Sequence, residues 1–241
     1  AGVCTTEAFD VTPYADALTW FLLGHDDIQD FGRKVKIAFS GCEHEACGLV
    51  KLHDLGYLAQ MREIDGETVR GFRIYVGGGL GTVPHQAKVL ADFVTEDEIM
   101  PHAQAVSRVF ARLGEKKNRN RARLKFLVAK LGIEEFQRLV QQEREQLPYD
   151  DRWAGYLNDL DRVSNEPIRP NAPTNGVDTG SGYASWLATN IYRQRQEGYA
   201  VVTINLPLGD LSSHQARALA TIAREYVGDN IRTTVEQNIV L

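Results

Sequence analysis

Residues 57–81 read YLAQMREIDGETVRGFRIYVGGGLG, and this stretch decides the fold. Tyr57–Ile64 and Val69–Val76 are rich in β-branched and aromatic residues set against polar ones, so both predict strands. Asp65-Gly66 between them is a two-residue hairpin signature, because the favoured tight turn needs positive φ at both places. The second strand runs into Gly77-Gly78-Gly79-Leu80-Gly81. Upstream, Arg33-Lys34-Val35-Lys36-Ile37-Ala38-Phe39 alternates polar with apolar and predicts a third strand, broken at Ser40-Gly41. Pro13–Gly24 predicts a helix with Tyr14, Leu18, Phe21 and Leu22 on one face. Glu45–Leu55 predicts a short helix stopped by Gly56. Downstream the apolar spacing turns helical over Gln86–Phe93, Asp97–Leu113, Asn118–Leu131 and Glu134–Gln146, the last two joined at Gly132. Strands followed by helices imply an α+β fold with a mixed sheet, not alternating βα units.

A second pattern starts further on. Between Pro148 and Gly182 prolines and glycines accumulate and apolar residues thin out, which reads as a linker or surface excursion. Trp186–Tyr192, Ala200–Leu206 and Ile231–Leu241 then predict strands, and Ser213–Tyr226 a helix. Ser212 or Ser213 would cap it, with Ala216, Leu219, Ala220, Ile222 and Ala223 as its apolar face. The expected organisation is residues 1–150, a linker 151–181, and a small ferredoxin-like half over 182–241.

The 241 residues, 43% hydrophobic and 24% charged, are those of an ordinary globular protein. At about 150 residues per domain the length suits one large domain or two small ones. Twenty-seven basic against 32 acidic residues leave a net charge of −5, which argues against a nucleic-acid partner. No apolar run is long enough for a membrane span, and no signal peptide is visible. Three cysteines, an odd number, argue against a disulfide framework and for a reducing compartment, the cytoplasm, or a thiolate site. The chain opens on AGVC without Met and ends on an apolar β-branched run, which reads as an internal piece of something longer.

Five constellations could carry chemistry. Lys34 and Lys36 share one face of the predicted strand, about 7 Å apart; two ammonium groups there suit a bound anion, or else a solvated edge. Cys42 and Cys47 flank His44 at a strand-to-helix turn and could ligate a metal, or be small semi-buried hydrophobes. Gly77–Gly81 could bring backbone N–H groups close to a ligand, or form a bare turn. Lys116–Lys125, KKNRNRARLK, predicts a basic helix, solvated or facing an acidic partner. Gln237-Asn238 in an apolar strand implies either a polar ligand or an edge-strand pair.

In order along the chain, GVCTTEAFDVTPYA, GRKVKIAFSGCEHEACGLVKLHDLG, GFRIYVGGGLG, RARLKFLVAKLGIEEF, GYAVVTINLPLGDLS and IRTTVEQNIVL together resemble the nitrite and sulfite reductase hemoprotein family. Members carry siroheme coupled to a 4Fe–4S cluster. Their fold is a tandem duplication, each copy pairing a ferredoxin-like half-domain with a larger α+β siroheme-binding domain. The resemblance implies that this chain holds the large domain of the first copy and the small half of the second. It implies six-electron reduction of sulfite to sulfide or of nitrite to ammonia, with electrons from ferredoxin or a similar donor. By the same resemblance Lys34 and Lys36 would bind the anion and supply protons. Arg33, Gln237 and Asn238 would contact siroheme or its carboxylates, and Gly77, Gly78, Gly79 and Gly81 would let backbone lie against the ring.

The departures are equally specific. The family's cluster ligands come from a C-x5-C and a C-x3-C pair, whereas Cys42 and Cys47 have C-x4-C spacing; with Cys4 they read as relics of the duplication, the ligands being expected outside this chain. Glu236 stands where the first-copy strand would carry a substrate-binding arginine. Two other readings remain open: a non-catalytic siroheme-binding subunit or module, and a small metal-site protein using Cys4, Cys42, Cys47 and His44.

Overall fold

In the computed structural model, residues 1–43, 47–163, 166–168, 170, 180, 182–228 and 231–241 are described. His44, the expected helix start at Glu45, and much of the expected linker lie outside them. The chain divides into two units: Thr6–Ser164, and Gly2–Thr5 together with Asn165–Leu241.

The first unit is built on α1 (Thr12–Leu22), β1 (Ile37–Ser40), β2 (Leu55–Ile64), β3 (Glu67–Val76), β4 (Lys88–Thr95), α2 (Ile99–Leu113), α3 (Leu124–Leu131), α4 (Ile133–Gln146) and α5 (Asp151–Asn158). The sheet order is β1-β2-β3-β4. β1 runs parallel to β2 and the other pairs are antiparallel, so the sheet is mixed. The β2–β3 hairpin turns at Asp65 and Gly66, whose φ values are 54° and 83°, as its two-residue turn requires.

Residue parity sorts the strands onto two faces. Leu55, Tyr57, Phe72, Ile74 and Val76 enter the main core with the helices, while Leu58 and Tyr75 join Val50 and Ala87 on the opposite face. Phe72 is the hub: its ring meets Phe9, Tyr14, Phe39 and Tyr57 edge-on, at centroid distances of 5.3–6.0 Å. Truncating such a ring to Ala costs about 3–5 kcal/mol.

Several sequence expectations need correction. Gln86–Phe93 is strand β4, not helix. Two register shifts against β3 leave extra residues on β4 and break its alternation, so that Leu90, Ala91 and Val94 pack on the core while Asp92 is exposed, a spacing that imitates a helical repeat. Over the described residues 47–55 the chain does not form the helix expected to stop at Gly56. Val50–Leu52 makes one 3-10 turn, and Gly56 lies inside β2, where a Cβ would meet the Val50 carbonyl oxygen at 2.3 Å. The basic run is mostly not helical. The Glu115 carboxylate accepts the N–H groups of Lys117 and Asn118, and Asn118 Oδ1 accepts that of Asn120. These local bonds compete with helix, so α3 starts only at Leu124. Part of the expected linker is α5, capped by Asp150 and anchored through buried Trp153, whose Nε1 donates to Gln104 at 3.1 Å.

The second unit contains α6 (Tyr183–Asn190), β5 (Ile191–Arg193), β6 (Ala200–Ile204), α7 (Ser213–Ile222), β7 (Arg232–Thr233) and β8 (Ile239–Val240). Its antiparallel sheet has the order β5-β6-β8-β7. Trp186–Tyr192 is therefore mostly helix, in keeping with its Ala and Leu content. Ser212 and Gln215 form a capping box at the start of α7. Ile231–Leu241 is a hairpin, not one strand. Gln237 takes φ 66°, and Thr234 N–H donates to the Asn238 carbonyl at 2.9 Å. Among the described residues no helix is long and apolar enough to cross a membrane.

Candidate functional site

A groove of about 590 Å³ opens on the first unit where three chain segments meet. The lead-in to β1 contributes Arg33, Lys34 and Lys36, the turn after β3 contributes Gly79, Leu80, Gly81 and Val83, and the start of α3 contributes Lys125 and Phe126 with Arg123 just before it. Leu49, Leu52 and His53 line it as well. Lys34 and Lys36 precede β1 instead of lying on it, because regular pairing starts only at Ile37. Val35 between them packs on the core, so both lysines line the groove and are exposed.

The pivot beneath this groove is Asp54, whose side chain is completely buried. Its Oδ2 accepts the Lys36 N–H at 2.8 Å. Arg123 Nε and Nη2 donate to Oδ1 and Oδ2 at 3.1 and 2.6 Å. Its own carbonyl accepts the Gly77 N–H at 2.9 Å. Charge-assisted, forked bonds of this kind fix orientation as well as distance. Lys125 is buried, and its Nζ donates to the Leu80 and Val83 carbonyls. Burial first, then the Arg123 charge, hold its pKa below the ordinary lysine value.

The glycines divide by role. A Cβ on Gly77 would press on Val128, and one on Gly78 would meet the His53 and Lys51 carbonyl oxygens at 2.6 and 2.7 Å, so packing accounts for both. Gly79 and Gly81 line the groove, Gly81 with φ 100°. Gln237 and Asn238 belong to the second unit. There Asn238 Oδ1 accepts the Leu206 N–H at 2.9 Å, and glycine at position 209 leaves room for the Gln237 side chain.

Sequence reasoning singled out Arg33, Lys34 and Lys36 but missed Asp54 and the inward turn of Arg123 and Lys125. The signal for Asp54 was its place just before an apolar strand; nothing local marked its partners, which lie 18 and 69 positions away.

The lining of the groove has the chemistry that suits a macrocycle bearing several carboxylates. Leu49, Leu52, Val83 and Phe126 offer apolar contact, and five cations, Arg33, Lys34, Lys36, Arg123 and Lys125, offer charge. A four-iron cluster does not fit this chain in the same way. It takes four thiolates, and the sequence has three cysteines. Cys4 belongs to the second unit, Cys42 is buried and Cys47 exposed. Among the described residues no three His, Cys, Asp or Glu side chains form a metal-holding group.

Residues 1–147 match the family described as "Nitrite and sulphite reductase 4Fe-4S domain". The chain belongs to this family. Residues 192–241 match the "Nitrite/Sulfite reductase ferredoxin-like half domain". Among its relatives is the chloroplastic ferredoxin–nitrite reductase of Zea mays, 29% identical over all of this chain and 39% of the relative. The assimilatory ferredoxin-dependent nitrite reductase of Haloferax mediterranei is 30% identical with the same coverage. A ferredoxin sulfite reductase of Mycolicibacterium paratuberculosis is 33% identical over 59% of this chain and 25% of its own length. The NirA protein of Mycobacterium tuberculosis superposes with a TM-score of 0.71 at 24% identity, over all of this chain and 38% of that one. That likeness gives the fold: α+β, a mixed sheet with helices followed by a ferredoxin-like half. The chain thus spans about two fifths of the length of the nitrite reductases it matches.

Proposed function

We propose that this chain is the siroheme-holding part of a reductase that takes sulfite to sulfide or nitrite to ammonia in a six-electron reaction. The electrons come from ferredoxin or a similar donor, and the setting is a reducing compartment such as the cytoplasm. The observation that carries this reading is the groove that joins five cations to apolar walls. Siroheme, when bound, supplies the iron macrocycle through which the anion is reduced. Arg33, Arg123 and Lys125 would meet its carboxylates, and Gly79 and Gly81 would leave the rim open to it.

Lys34 and Lys36 would hold the anion. Fixed positive charge in a site of low dielectric stabilises negative charge as it accumulates. Each ammonium carries N–H donors, so the pair can both hold the anion's oxygens and deliver protons as these leave as water. The family's cluster takes four thiolates, a ligand set that the three cysteines of this chain do not supply.

The donor would dock on a second basic concavity of the first unit, about 740 Å³, lined by Arg112, Lys116, Lys117, Arg121 and Lys130. Eight of the chain's 27 basic residues fall within positions 112–130, against one acid, Glu115. An acidic protein would be steered there despite the negative net charge.

Lys34→Met and Lys36→Met in the intact protein test the reading. Siroheme absorbance should persist while turnover of nitrite or sulfite falls by roughly 100-fold, the scale of losing a positioned proton donor. Full turnover in both variants would overturn it.

A further inference from the structure

We propose that Asp54 is the positioning residue of the anion groove: it holds Arg123 and the Lys36 backbone in register and thereby sets how tightly the groove retains a carboxylate or oxyanion. This rests on the proposed siroheme-holding role of the groove and extends it to a residue that touches no ligand.

Four observations carry it. The Asp54 side chain is completely buried, yet it lies directly behind a lining whose charged residues are all cationic. A buried carboxylate is costly unless paired and hydrogen-bonded, and this one accepts bonds from Arg123 and from the Lys36 N–H. The partners come from two of the three segments that make the groove, and the Asp54 carbonyl binds the third through Gly77 N–H. Finally, Asp54 engages Arg123 through Nε and one Nη2 hydrogen, which leaves the remaining guanidinium hydrogens for a ligand. Arg123 lines the groove with a side chain that is only 12% exposed. An arginine so clamped is a preformed anion receptor, unlike a lysine free to swing.

The consequence is coupling. Asp54 should matter to the ligand only through Arg123 and Lys36, and its effect on siroheme retention should vanish when Arg123 has lost its charge. The test uses the intact protein in three forms: Asp54→Asn, Arg123→Gln and the double variant, which keeps an amide–amide contact and removes the buried charges together. The first readout is siroheme retention, measured by absorbance against increasing salt. The second is the split of KM against kcat for nitrite or sulfite. Arg123→Gln should weaken siroheme retention about tenfold, the scale of one charge-assisted hydrogen bond. The double variant should match Arg123→Gln, with no further loss.

Wild-type retention in a folded Arg123→Gln protein would overturn the proposal. So would additive losses in the double variant, since they would mean that Asp54 acts on stability alone. Should Asp54→Asn fail to fold, the double variant still decides. Lys34→Met and Lys36→Met run alongside: if they abolish turnover while Arg123→Gln retains siroheme normally, only this proposal fails. If they too are silent, the reading of the groove fails with it.

Discussion

The ammonium of Lys125 donates to the carbonyl oxygen of Val83 at 2.5 Å and so closes the turn that follows β3. A second bond, to the Leu80 carbonyl at 3.0 Å, holds the other side. A buried lysine that serves backbone carbonyls acts as a strut for the loop as well as a charge beside the groove. Lys125→Met should therefore lower the stability of the first unit by about 1–3 kcal/mol, read as a lower urea midpoint. An unchanged midpoint would mean that the loop holds without it.

The glycines of the same turn should separate by cost. Gly78→Ala drives a methyl into two backbone carbonyls, which cannot yield as a side chain can. Its expected cost is about 2–3 kcal/mol. Gly81→Ala meets open space but must keep a left-handed φ, at about 1–2 kcal/mol. Thermal unfolding of the two variants ranks them; Gly81→Ala as the worse of the pair would contradict the close packing around Gly78.

Acid should loosen the helical layer through Glu98. Its carboxylate takes bonds from His102 and, in a forked pair at 2.6 and 2.8 Å, from Arg144. These partners bring its pKa down from 4.5 to about 2. Because the folded pKa lies below the unfolded one, the stabilisation is whole above pH 4.5 and disappears as pH falls towards 2. Denaturant titrations at a series of pH values should show a steeper loss in wild type than in Glu98→Gln across that window. Parallel curves would remove Glu98 from the account.

Docking of the donor should depend on side chains that have no carboxylate within ion-pair distance among the described residues. Lys117 and Arg121 meet that condition, whereas Arg112 pairs with Glu143, Lys116 with Asp30 and Arg123 with Asp54. Lys117→Glu together with Arg121→Glu should raise the KM for a ferredoxin donor roughly tenfold at low ionic strength and flatten its salt dependence. Unchanged donor kinetics would place the dock elsewhere.

What could be read from the chain follows the range of the interactions. The β2–β3 hairpin was legible because Asp65-Gly66 and its flanking alternation are local. So was α4, whose break at Gly132 coincides with φ 81°. The misreadings share one cause, contacts from outside the segment. β4 imitates a helix because its bulges are set by β3. The basic run stops short of helix because Glu115 and Asn118 bind its amides. In the groove, Lys34 and Lys36 were visible as an alternating pair, but the strand expected beneath them begins only at Ile37. Asp54 showed only its place before an apolar strand, since its meaning lies in Lys36 and Arg123.

The turn at Asp65-Gly66 also bears on the order in which the first unit assembles. β2 and β3 pair ten residues against ten across two connecting residues, so their contacts close the shortest loops in the sheet and form early. β1 must arrive parallel to β2, Ile37 opposite Leu55, across an intervening excursion of chain. Its loop-closure entropy is larger, and its docking belongs to the late part of the folding reaction. The lysines that precede β1 reach their places with it. The β2–β3 hairpin should thus form first as a scaffold, with the segment that carries Lys34 and Lys36 set against it afterwards.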